Sequence, residues 1–161
     1  MLPIAAVRVW SRDPQAAQRL AATLAADGIG AEWAPDLAEA VAWADVVSCA
    51  TLATEPLVRG QWLGPGSHLD LIGSFTPAMR EADDACLRGA QVWIDTPEAL
   101  TKSGDLLHLR PGDVRGTLAE LCGRPAPPRD PSARTVFKSV GTALEDLAAA
   151  VRVFESGAAS A

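Results

Sequence analysis

The sequence predicts an α/β protein built on a parallel sheet, and three observations point there. Short apolar runs rich in β-branched residues recur as IAAVRVW, VVSCAT, HLDLIG and QVWIDT. Segments with helical spacing or helix-start signals lie between them, and several of the joints are short and marked by Gly, Pro or Asp. Strands that alternate with helices pair in parallel, because each helical crossover returns the chain to the same end of the sheet.

Taken in order, residues 4–10 read as a buried strand. Asp13 is placed to cap a helix with Pro14 at its first position, and Gly28 gives the stop signal. Leu20, Thr23, Leu24 and Asp27 keep helical spacing between them. A short extended piece at 31–33 precedes Pro35, and Asp36 caps a second helix that ends near Asp45. VVSCAT is the next strand. A turn-rich connection with Gly60, Gly64, Pro65 and Gly66 leads to the strand HLDLIG, where Leu69 and Leu71 alternate with polar neighbours. Residues 76–89 read as a helix, 91–96 as a strand and 97–102 as a short helix. Glycine and proline punctuate 104–129, with one helical stretch at 117–122. Residues 135–137 are a last extended segment. The segment 141–156 is an amphipathic helix, with Leu144, Leu147, Ala148 and Val151 on one face, followed by a frayed tail. Pro125, Pro127, Pro128 and Pro131 form the best candidate linker.

Composition narrows the function classes. The chain has 161 residues, 48% of them hydrophobic and 21% charged, which suits one globular domain. A net charge of -6 argues against holding a nucleic-acid backbone or an anionic membrane surface. No apolar run approaches the roughly 20 residues of a membrane span. The N-terminus lacks the pattern of an export signal, so a cytoplasmic location is expected. Cys49, Cys86 and Cys122 are odd in number and far apart, which suggests neither a disulfide framework nor a metal site.

Four segments are placed to carry chemistry. At the tip of the first strand, Ser11 and Arg12 offer a hydroxyl and a guanidinium. In doubly wound folds this place meets the adenosine ribose of a dinucleotide, and an Arg there suits the 2′-phosphate of NADP. An ordinary surface arginine is the plainer alternative. The strand VVSCAT breaks into small and hydroxyl residues at 49–56, where ligands of open α/β sheets sit; a simple turn before Pro56 explains it equally. The strand HLDLIG runs into Gly73 and Ser74, with Thr76 a hydroxyl donor or an N-cap. Finally, Lys138, Ser139, Val140 and Gly141 lead into the last helix, with Lys138 either meeting a cofactor or carboxylate or lying solvated at the surface. His68 and His108 have no partner motif and read as structural. Asp83 and Asp84 read as a solvated helix face, and Ser103-Gly104-Asp105 carries little signal.

Together these segments resemble the ornithine cyclodeaminase/mu-crystallin family. The matching pieces, in order, are VRVWSRDP, DLAEAVAWADVVSCATLATEPL, WLGPGSHLDLIGS, PAMREADD, ALTKSGDL, ELCGR and TVFKSVGTALEDLAAA. The resemblance implies a Rossmann domain that binds NAD(H) or NADP(H), joined to a dimerisation domain that supplies much of the substrate pocket. The chain would then divide into part of the Rossmann domain at 1–124, a proline-rich linker at 125–134, and a segment at 135–161 belonging to the dimerisation domain. Carried over by position, Ser11 and Arg12 would meet the ribose or its 2′-phosphate, Thr51 and Leu52 would line the cofactor, and Lys138, Ser139, Val140 and Gly141 would approach its nicotinamide side. Ser11 and Arg12 tilt the cofactor toward NADP(H). The implied partners are a small imino- or amino-acid substrate and a second copy in a homodimer.

Two departures from the family shape the expectation. Cyclodeaminases of the family carry an acid shortly after the glycine matching Gly73, and Phe75 stands there. That substitution favours an imino-acid reductase over ornithine cyclodeamination. The matching pieces also begin at the family's second sheet strand, without its first strand, its glycine-rich phosphate loop or its upstream domain. The expected fold is therefore an incomplete Rossmann-like doubly wound parallel sheet with a C-terminal helix. In the usual order 3-2-1-4-5-6 the first strand is central, so its absence leaves two strand edges without partners. The chain alone is expected to bind a nicotinamide cofactor weakly or not at all. A noncatalytic ligand-binding module and an inactive fragment are the alternatives.

Overall fold

The computed structural model describes residues 3–123, 125 and 130–158. Its elements are β1 (Val7–Val9), α1 (Pro14–Ala26), β2 (Ala31–Trp33), α2 (Leu37–Trp43), β3 (Val46–Cys49), β4 (His68–Leu71), α3 (Asp84–Leu87), β5 (Gln91–Ile94), α4 (Ala99–Lys102), β6 (Val114–Thr117), α5 (Leu118–Cys122), β7 (Thr135–Lys138) and α6 (Ala143–Ala158). Helix starts follow local chemistry. Asp13 accepts from Gln15 N at 2.9 Å and Asp36 accepts from Glu39 N at 2.9 Å, each satisfying an amide that the helix itself leaves unpaired. Thr117 and Glu120 form a reciprocal capping box at α5. Gly28, with φ 83°, turns the chain out of α1 in a conformation that a side chain disfavours.

Every strand pairing is parallel, but the strands form two sheets. One is β1-β2, and the other has the order β3-β4-β7-β5-β6. The split falls between β1 and β3, where the sequence leaves a place for a central strand. Among the described residues β1 pairs only with β2 and β3 only with β4, so each keeps an open edge there. On β3, Val46 is 43% exposed.

The largest surprise is β7. The segment 135–161 was expected outside the cofactor domain, yet residues 135–138 form the middle strand of the larger sheet. Leu69 and Val92 flank Val136, and Leu71 and Ile94 flank Lys138 in register. These six residues share one buried face, so the inward positions of the strand tie it to the body. α6 stands off the core: residues 143–157 are exposed, and Leu144, Leu147, Val151 and Phe154 are open to solvent. Of the proline-rich linker, Pro127 and Pro128 lie outside the described residues.

Residues 76–89 are not one helix. Helical bonding is confined to α3, four residues long, because the chain before it is committed elsewhere. Glu81 N donates to Asp105 Oδ1, and Glu81 O accepts from Leu57 N and Val58 N. Asp83 and Asp84 are not a solvated face either. Asp83 caps α3 and accepts from Gly60 N at 2.9 Å, while Asp84 is bound by Arg80 and His108.

Candidate functional site

Parallel strands place their carboxyl ends on one side of the sheet, where ligands of this architecture bind. Three chain segments leave that side next to one another: 50–56 after β3, 72–76 after β4 and 139–142 after β7. Continuing the register of Cys49, Leu71 and Lys138 by two residues brings Thr51, Gly73 and Val140 level, one strand spacing apart.

One buried carboxylate holds the first two segments together. Glu81 is fully buried and accepts four hydrogen bonds: Thr51 N at 2.5 Å and Thr51 Oγ1 at 2.8 Å on Oε1, then Gly73 N at 2.7 Å and Ser74 N at 3.3 Å on Oε2. The approach is so close that a Cβ at Gly73 would overlap the Thr51 backbone and the Glu81 carboxylate. A second carboxylate shapes the third segment. Asp95, 8% exposed at the end of β5, accepts on Oδ2 from Ser139 Oγ at 2.9 Å, Val140 N at 2.7 Å and Gly141 N at 2.8 Å. Gly141 adopts φ 77°, and nothing stands within 4 Å of the Cβ position there.

Lys138 is neither solvated nor at the ligand side. Its side chain is fully buried between Leu71 and Ile94, because its place on the inward face of β7 leaves no route to water. Lys138 Nζ donates to Leu71 O at 3.0 Å and lies 3.8 Å from Asp105 Oδ2, itself buried. Asp105 Oδ1 takes Glu81 N and Ala82 N, whereas Oδ2 has no hydrogen bond. Burial pushes the Lys138 ammonium down from its ordinary range, opposed by Asp105. Burial pushes Asp105 up, opposed by the amides of Ala82 and Glu81. Ser74 Oγ donates to Met79 O at 2.6 Å and meets Ser103 Oγ at 2.9 Å, so Ser103-Gly104-Asp105 is part of the buried support.

The open surface above this support is apolar and hydroxylic. Leu52 is 64% exposed, Phe75 47% and Ile72 40%, beside half-buried Thr51, Ser139 and Val140. Ser11 and Arg12 follow β1 in the smaller sheet, with Ser11 Oγ accepting from Asp13 N at 3.2 Å and Arg12 exposed. The structure thus groups Thr51, Leu52, Ser139, Val140 and Gly141, places Ser11 and Arg12 on another sheet, and turns Lys138 inward. Sequence reasoning missed Glu81, hidden in an expected helix, and Asp95, whose only signal is an acid at a strand's carboxyl end.

Other features lie elsewhere. His68 Nδ1 meets Thr135 Oγ1 at 2.7 Å at the amino ends of β4 and β7. A cleft of about 510 Å³ is bordered by Asp84, Gly89, His108 and Asp113, next to the amino ends of β5 and β6. Among the described residues, no His/Cys/Asp/Glu group could hold a metal ion, and no helix is long and apolar enough to cross a membrane.

Comparison with known proteins agrees with this geometry. The model of the ornithine cyclodeaminase/mu-crystallin family matches residues 1–160. The chain is 43% identical to a Delta(1)-pyrroline-2-carboxylate reductase of Paracoccus denitrificans, over 88% of this chain and 47% of that protein. It is 40% identical to the ketimine reductase mu-crystallin of Mus musculus, over 93% of this chain and 47% of that one. Among solved structures, an archaeal alanine dehydrogenase dimer with bound NAD superposes with a TM-score of 0.88 at 26% identity, covering 99% of this chain and 51% of the other. The chain spans about half the length of the curated relatives it matches.

Proposed function

The chain belongs to the ornithine cyclodeaminase/mu-crystallin family, and on that footing we propose that it forms the cofactor-facing half of an NAD(P)H-dependent imino-acid reductase. The observation that carries this reading is the surface at the ends of β3, β4 and β7. It offers hydroxyls and glycine backbone beside exposed Leu52, Ile72 and Phe75, while the acids and the lysine of the region are buried below it. Phe75 stands where cyclodeaminases of the family carry an acid. It packs an apolar ring against a bound molecule and excludes water, but it can neither move a proton nor hold an amine by charge.

The residues present fit the nicotinamide end of such a cofactor. The bare, positive-φ Gly141 leaves room for close approach. Thr51, Leu52, Ser139, Val140 and Gly141 would line it, and Lys138 supports the floor from below. The cofactor, when bound, supplies the hydride that reduces a carbon-nitrogen double bond. Ser11 and Arg12 would take the adenosine ribose, with Arg12 favouring the 2′-phosphate of NADP(H). The relatives' names point to small cyclic or linear imino acids as substrates. The apolar stripe of α6, rather than β7, would join the substrate and dimerisation part, in a homodimer. The three free cysteines suit a reducing, cytoplasmic setting.

Titrating the purified chain with NADPH and NADH, then assaying reduction of Δ1-pyrroline-2-carboxylate, tests the reading. Turnover with NADPH preferred is the result expected of the assembled site, and weak binding without turnover that of this half alone. Binding without turnover even when the other half of a full-length relative is supplied favours a ligand-binding module.

A further inference from the structure

The hydroxyls of Thr51 and Ser139 have one proton each, and both protons are already committed. A carboxylate oxygen can only accept, so the 2.8 Å contact from Thr51 Oγ1 to Glu81 Oε1 uses the threonine proton. The 2.9 Å contact from Ser139 Oγ to Asp95 Oδ2 likewise uses the serine proton. Each hydroxyl oxygen also accepts a long bond from a nearby amide, Ala53 N at 3.3 Å on Thr51 and Gly141 N at 3.2 Å on Ser139. A hydroxyl oxygen accepts twice, so one lone pair remains on each. Both residues are half-buried at the ligand side, whereas Glu81 and Asp95 lie beneath them.

We infer that Glu81 and Asp95 are positioning residues that fix the polarity of the site: they turn Thr51 and Ser139 into hydrogen-bond acceptors, so the site selects ligand groups that bring donors. The two points stand two strand spacings apart, about 10 Å. Resting on the cofactor reading above, the donors in question are of the kind carried by a primary carboxamide, a ribose hydroxyl or a protonated imine. A carbonyl or ether oxygen in the same place would face a lone pair. The same two carboxylates also hold the backbone of Thr51, Gly73, Val140 and Gly141, so polarity and shape are set together.

Two measurements test this. The first uses no ligand: NMR of the hydroxyl protons. In the wild-type chain the Thr51 and Ser139 hydroxyl protons should exchange slowly enough to be seen, and Glu81→Ala and Asp95→Ala, which remove the acceptor, should each abolish the one above it while urea unfolding confirms a folded chain. Hydroxyl protons that exchange freely in the wild type, or that survive the partner's substitution, overturn the assignment. The second compares NADH with its reduced 3-acetylpyridine analogue, in which a methyl replaces the amide NH2. The wild type should bind NADH about fivefold more tightly, the value of one hydrogen bond. Thr51→Val or Ser139→Ala should erase that preference, and Thr51→Ser should restore it. Equal affinity for both molecules, with slow hydroxyl protons, refutes selection by donors. Should neither molecule bind this chain alone, the hydroxyl signals decide the polarity.

Discussion

Replacing Lys138 with methionine removes the cation from the centre of the larger sheet while roughly keeping its volume. Leu71 O, which accepts from Lys138 Nζ, stays satisfied because it also accepts from Ser139 N at 3.1 Å. Asp105 does not fare as well. Its Oδ1 keeps the amides of Glu81 and Ala82, but Oδ2 loses its counter-charge. Breaking a buried ion pair from one side costs about 3–5 kcal/mol. At 3.8 Å the pair is not hydrogen bonded, which places the expected loss at the low end, about 3 kcal/mol, or roughly 6–12 °C in Tm. Asp105→Asn should cost a similar amount, since it strands the ammonium with Leu71 O alone. The double variant strands nothing and should be about 2 kcal/mol more stable than the sum of the singles. The loss should also depend on pH. Burial raises Asp105 above its ordinary value, so the folded chain binds the proton more tightly than the unfolded one. Stability from this group therefore falls as pH rises from about 4 toward the raised folded value. Without Lys138 that value rises further, so Lys138→Met should be closer to wild type at pH 5 than at pH 8. Urea unfolding followed by tryptophan fluorescence reads all of this. A single-variant loss below about 0.5 kcal/mol, or strictly additive losses, would show that the pair carries no coupling.

Three further outcomes follow from particular contacts. Burial pushes both Cys49 and Cys86 up to about 12, whereas Cys122 is exposed. At pH 8 about one in ten thousand of the first two is thiolate, against about a quarter of an ordinary thiol, so iodoacetamide should add once to the folded chain and three times in urea by mass spectrometry. Gly73→Ala drives a methyl into the Thr51 backbone and the Glu81 carboxylate, and overpacking of this kind costs about 1–3 kcal/mol; a calorimetric Tm equal to wild type contradicts the packing described. Arg12→Gln should weaken NADPH about tenfold and leave NADH unchanged, by loss of a bidentate charge-assisted contact. A parallel loss for both cofactors removes Arg12 from the 2′-phosphate.

The legible parts of the molecule were those decided locally. Asp13 and Asp36 begin helices because their side chains reach amides two or three residues on, and the alternation of Leu69 and Leu71 marks one buried face. Strand order was not local. The usual sheet order gives no place to Thr135–Lys138 between β4 and β5; that place follows from a register set over most of the chain. The site divided in the same way. Thr51 and Ser139 were visible as hydroxyls at strand ends. Glu81 was not, because the helical spacing around it favoured a solvated acid and only the competing bonds of Asp105, Leu57 and Val58 draw it inside. Lys138 meets a carboxylate, one of the readings its sequence leaves open, but its burial was not legible: a lysine in an apolar strand is usually at the surface, and its buried counter-charge is 33 residues earlier in the sequence.

The middle position of β7 has a consequence for synthesis. His68 and Thr135 touch across 67 residues, and the same late segment zips β4 to β5. While the ribosome makes residues 68–134, these two strands have no common neighbour, and Leu69, Leu71, Val92 and Ile94 wait without their partner face. Folding of the larger sheet is thus deferred until residues 135–138 have emerged. A premature stop before residue 135 would release not a smaller version of the protein but a larger sheet split into β3-β4 and β5-β6, with the rung between them missing, a natural client for chaperones.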